Sequence, residues 1–167
     1  MRIAGRELGK PNVELIFIPR SKIVTNEFGI TEAIDDPIVL YAQAVTDMGE
    51  LDKLVPEPAV PDKIVKSSRV PDYDNPAYKA KIAERNAARF NFLFLKSLQI
   101  NKDLTWDTIK MDDSTTWSNY ETELKEAGFN SAEIMMIVQG VLRANSLDES
   151  RIEEGRKRFL AMKQELN

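Results

Sequence analysis

The chain has 167 residues, 43% of them hydrophobic and 30% charged, a balance that builds one core, or a small lobe beside a larger one, in water. Its net charge of −4 gives it no general basic footprint of the kind nucleic-acid binding needs. It has no cysteine and no histidine, which removes disulfides, thiolate nucleophiles, the commonest general base and the commonest neutral metal ligand.

Residues 1–10 are polar, with Gly5 and Gly9, and suit a short edge strand or a loose arm. They are too charged for a signal peptide, and no apolar run approaches the ~20 residues that cross a bilayer. Val13 to Ile18 (VELIFI) is a β-branched and aromatic run stopped by Pro19, and it reads as a strand. Lys22 to Thr25 reads as a second strand, with a turn at Asn26 to Gly29 and a break at Asp35-Asp36-Pro37. Ile38 to Val45 (IVLYAQAV) reads as the next strand, and Met48 to Val55 as two helical turns with Leu51, Leu54 and Val55 on one side. Residues 1–74 hold 9 basic and 13 acidic groups against 14 and 14 in residues 75–167, so the negative charge sits in the first part.

Pro56, Pro58, Pro61 and Pro71 punctuate the next stretch, which reads as a linker or an extended arm. Asn75 and Pro76 then start the longest helix, the first as cap and the second at the first helical position, where its missing N–H is not needed. Ala80, Ala83, Ala87, Phe90, Phe94 and Leu98 share a face at spacings of three and four, and Phe92, Leu93 and Leu95 widen it. The last two turns are apolar nearly all round and require cover from the chain or from a partner.

Leu104 to Met111 suits a short extended piece. A helix follows from about Ser114 to Ala127, with Trp117, Tyr120, Leu124 and Ala127 sharing a face and Gly128 placed to close it. Asn130 and Glu133 form a capping-box pair for another helix, whose stripe is Ile134, Ile137, Val138, Val141 and Leu142. Ser146 and Glu149 repeat that pair before a last helix to about Leu166, with Ile152, Phe159, Met162 and Leu166 inward. The predicted fold class is α+β: a small N-terminal β-rich lobe over 1–55, a Pro-rich linker over 56–74 and a helical domain of about four helices over 75–167.

No motif announces a reaction. Asp35-Asp36 and Asp112-Asp113 lack the glycine and terminal glutamate of a calcium loop and sit where turns and caps use aspartate. Gly5 to Lys10 (GRELGK) lacks both the hydroxyl residue and the strand of a phosphate loop. Arg156-Lys157-Arg158 lies among glutamates, as on a solvated helix face. No catalytic, cofactor-binding or metal residue is expected, and no cofactor. The expected site is a partner-binding groove between the long helix at Phe90, Phe94 and Leu98 and the following helix at Met135, Val138 and Leu142, with methionines supplying adaptable contacts.

The stretches "DDPIVLYAQAVTDMGELDKLVPEPAVP", "NPAYKAKIAERNAARFNFLFLKSL" and "TTWSNYETELKEAGFNSAEIMMIVQGVLRANSLDESRIEEGRKRFL" together resemble small tail-module proteins of tailed bacteriophages, most of all tail assembly chaperones. The resemblance covers most of the chain by layout rather than by a diagnostic motif. It implies a non-enzymatic helper in the host cytoplasm that binds the tape measure protein or tail tube subunits during tail morphogenesis and is absent from the finished particle. Nucleic acid and membrane are not expected partners, and a homo-oligomer stays open. Such proteins are often largely helical, whereas residues 13–45 read as strands. A structural tail or baseplate component acting as a protein–protein adaptor is therefore the alternative.

Overall fold

The computed structural model describes residues 11–146, together with the two short strands β1 (Arg2–Ile3) and β2 (Arg6–Glu7), which pair antiparallel. The expected last helix, its capping pair and the Arg156-Lys157-Arg158 run lie outside the described residues, apart from Ser146. The fold is mixed α+β, with small hairpin-like sheets first and helices after them.

Four strands make one long antiparallel ribbon. β3 (Val13–Ile18) pairs with β6 (Ile38–Gln43), and β4 (Ser21–Thr25) pairs with β5 (Thr31–Asp35). The register is the same in both halves, and the Asp36 N–H donating to Arg20 O at 2.7 Å joins them. Pro19 and Pro37 face each other at the junction in a pair whose N–H positions point out of the ribbon, so neither proline costs a cross-strand bond. At the far end the Asn26 side chain accepts from the N–H groups of Phe28 and Ile30, and Gly29 takes φ +75°, as the expected turn requires.

Side chains alternate across this ribbon. Even-numbered Ile16, Ile18 and Ala42 are buried, and Ile38 and Leu40 pack beside them. The helix α1 (Gly49–Leu54) contributes Leu51 to the same core. α2 (Pro76–Leu98) begins as predicted, with the Asn75 side chain accepting from the N–H groups of Ala77 and Tyr78. Its inward face differs from the predicted one. Ala80, Ala83 and Ala87 are exposed, while Tyr78, Ile82, Arg85 and Ala88 are half-buried. Arg85 explains part of the rotation: it donates to Val55 O and pairs with Asp52 at 2.7 Å, turning that face toward α1.

The segment 104–111 is irregular rather than extended, and it is held by Glu123, whose carboxylate accepts from the Asp107 and Thr108 N–H groups and from Thr108 Oγ1. A 3-10 helix (Ser114–Asn119), capped by Asp113, then runs into α3 (Tyr120–Glu126), so the expected helix forms in two pieces. Gly128 closes α3 at φ +86°. α4 (Ser131–Ala144) starts with the predicted capping box between Asn130 and Glu133.

One core joins β3, β6 and the helices, drawing on Ile16 and Ile18 of the ribbon, Phe92 to Leu98 of α2, Trp117, Leu124 and the inner face of α4. Strands β3 and β6 of the predicted 1–55 lobe therefore share a core with described helices of the predicted 75–167 helical domain, because their even face is the surface that α2 and α4 cover. The predicted 56–74 linker contains a hairpin of β7 (Asp62–Val65) and β8 (Ser68–Pro71). Its two turn residues, Lys66 and Ser67, both take positive φ, +48° and +69°.

Candidate interaction surface

The predicted groove between α2 and α4 is closed. Phe94 and Leu98 are core residues with 0% and 1% exposure, because Tyr120 stacks on Phe94 at 4.2 Å between ring centroids and α4 packs directly on α2. Phe92 is covered in the same way by Trp117, whose indole N–H donates to Lys110 O. Phe94 and Leu98 are thus corrected from surface to interior: the chain covers its own greasy helix end. Val138 and Leu142 are half-buried, and Val138 packs against the core. Two predicted residues stay reachable. Met135 is exposed beside Met136, and Phe90 lines an open cleft of about 470 Å³ with Met48, Leu93 and Arg89.

The uncovered apolar surface lies on the strands instead. The odd-numbered side chains of β3 and β6, namely Val13, Leu15, Phe17, Val39 and Tyr41, point away from the helices, and Leu15 and Phe17 are more than half exposed. Beyond the prolines, every residue of β4 and β5 is exposed, and these two strands contact chiefly each other. This distal arm carries Ile23 at 76% exposure and, at its tip, Phe28 at 80%, with Ile30 next to it. The β7–β8 hairpin adds exposed Ile64 and Val65.

Charge is divided between the ribbon's faces in an unusual sense. The even face, which the helices cover along β3 and β6, holds Glu14, Arg20, Lys22, Glu32 and Asp36. The odd face, turned away, holds only Asp35 among its fourteen positions from Val13 to Gln43. Sequence reasoning missed this because alternation marks a half-buried strand without saying which side its own chain covers. The signal was present in VELIFI, where both faces are apolar apart from Glu14.

A single ionic node sets where the arm leaves the core. Arg20 donates to both Glu133 oxygens, at 2.7 and 2.8 Å, and to Gly128 O, and its guanidinium lies 4.7 Å from the Phe129 ring centroid. Glu133 also accepts from the Asn130 N–H. The Arg20 guanidinium first, and the Asn130 N–H second, hold the Glu133 carboxyl below its ordinary value. Arg143 pairs with Glu14 at 2.8 Å, fixing the opposite end of β3 to α4. The outer edge of β6 is sealed by Asn101, whose side chain accepts from Tyr41 N–H and donates to Tyr41 O.

Among the described residues, no group of three or more aspartates and glutamates is placed to hold a metal ion, and no helix is long and apolar enough to cross a membrane. Comparison with protein-family models, with curated proteins and with solved structures gave no match.

Proposed function

We propose that this protein is a non-enzymatic binding protein of phage tail assembly, of the tail assembly chaperone type, working in the host cytoplasm on the tape measure protein or on tail tube subunits. The observation that carries the reading is the tip of the distal arm, with Phe28 and Ile30 exposed beyond two strands that, among the described residues, contact chiefly each other. A two-stranded hairpin is marginal in water by itself, and large apolar side chains kept there are covered when another chain binds. The arm takes over the role first given to Phe94 and Leu98, while Met135 and Phe90 remain as accessible flanking contacts. In this reading the β-rich part and the 56–74 segment are the gripping elements, and the helices are the body that holds them.

The sequence resemblance supplies the choice of partner. Co-expression with the tape measure protein of the same phage should yield a soluble complex that co-elutes. Phe28→Asp combined with Ile30→Asp, both at the arm tip and outside the odd face, should abolish co-elution without changing the circular dichroism of the free chain. Undiminished binding by that variant removes the arm from the account. The alternative, a structural tail or baseplate component, is favoured by the same hairpins, since extended arms suit strand addition to a neighbour's sheet. Stoichiometric presence of the chain in purified particles, read by mass spectrometry, selects that alternative.

A further inference from the structure

We infer that the outer face of the ribbon is a self-association surface, covered in solution by the same face of a second copy of this chain. The inference stands apart from the tail-assembly reading and does not need it. The face is built by Val13, Leu15 and Phe17 on β3 and by Val39 and Tyr41 on β6, and it continues past Pro19 and Pro37 to Ile23. Three features fit a copy rather than an unrelated chain.

The first is charge. A surface that meets itself across a two-fold axis brings each group near its own duplicate, so charges on it repel. Asp35 is the only charged residue on this face, and it lies toward the arm, away from the apolar centre at Leu15, Phe17, Val39 and Tyr41. The rest of the chain is net negative and does not favour a copy in the same way. The second is area. Aromatic side chains present roughly 150–250 Å² when fully open, with the large aliphatic ones toward the lower end of that range. At the fractional exposures of Val13, Leu15, Phe17, Ile23, Val39 and Tyr41 the face offers on the order of 600 Å², near the lower end of what each partner contributes to a stable interface. The third is shape. A twisted two-stranded sheet offers a continuous ridge that packs onto an equal sheet about 10 Å away, burying both apolar faces at once.

Sedimentation equilibrium of the full chain at micromolar concentration tests this directly. The expected result is twice the chain mass. Phe17→Glu should weaken association at least about a hundredfold, because the two-fold buries two unpaired carboxylates. Met135→Glu, on α4, should leave it unchanged. Since the chain has no cysteine of its own, a second readout is available. A cysteine placed by Leu15→Cys should resist alkylation when concentrated and react on dilution, whereas one placed by Met136→Cys should react under both conditions. This arm decides the matter even if Phe17→Glu fails to fold. A monomer at high concentration overturns the inference, as does a dimer in which the Leu15→Cys thiol stays reactive. Either result hands the face to another protein or to the chain's own terminal residues.

Discussion

Replacing Gly140 by alanine tests how tightly the ribbon is seated on α4. A Cβ at this position would fall inside the van der Waals radii of Ile16 Cγ1 and Cδ1, and Ile16 is buried with little freedom to retreat. Two effects of opposite sign compete. Alanine in a helix interior is better than glycine by about 1 kcal/mol. Overpacking a filled core costs about 1–3 kcal/mol. The steric cost prevails, so Gly140→Ala should destabilise the chain by about 1 kcal/mol, or lower the melting temperature by about 2–4 °C for a chain of this size. The sign should reverse when the obstacle is removed. Ile16→Ala alone should cost about 2–5 kcal/mol. Adding Gly140→Ala to that background should then recover about 1 kcal/mol, since the helix preference remains and the clash does not. Urea unfolding followed by circular dichroism measures all four corners of the cycle. If Gly140→Ala stabilises the protein in both backgrounds, Ile16 does not lie against α4, and the seating of the ribbon described above is wrong.

Two further outcomes follow from the core and from the ionic node. Phe94→Ala should destabilise the chain by about 3–5 kcal/mol in the same urea experiment, as removal of a buried aromatic does, whereas a surface residue there would change stability little. Glu133 has a folded value below its ordinary one, so its contribution is fully present above the ordinary glutamate range and is lost as pH falls through that range to the folded value. Glu133→Gln should therefore lower stability at neutral pH and flatten the acid limb of the stability–pH curve. An acid limb of unchanged slope would show that the Arg20 pairing does not bias Glu133.

Much of the chain is legible from local chemistry. VELIFI and the start of IVLYAQAV declare strands by composition, and the Asn130/Glu133 box and Gly128 mark helix ends, because each signal is satisfied within a few residues. What escaped depends on distant partners. Thr31–Asp35 (TEAID) has weak strand preference and becomes β5 because the register set by β3 and β6 carries it into pairing with β4. The β7–β8 turn uses Lys66 and Ser67 at positive φ, where sequence reasoning looks for Asn-Gly. The alanine face of α2 and the opposite face with Tyr78 and Ile82 are close rivals by spacing, and the contact of Arg85 with α1 decides between them. The site was misplaced for a related reason. Periodicity measures how apolar a helix end is, but not that Trp117, Tyr120 and α4 are there to cover it.

The account rests on the arm of β4 and β5 being the part of the molecule that another protein grips. Backbone hydrogen exchange of the full chain, free and in complex with the tape measure protein, measures this residue by residue. In the free chain the amides of 21–35 should exchange far faster than those of Phe92–Leu98. In the complex they should slow by at least about tenfold, while the core amides stay as they were. Unchanged exchange across 21–35, with protection appearing elsewhere, would contradict the account at its centre.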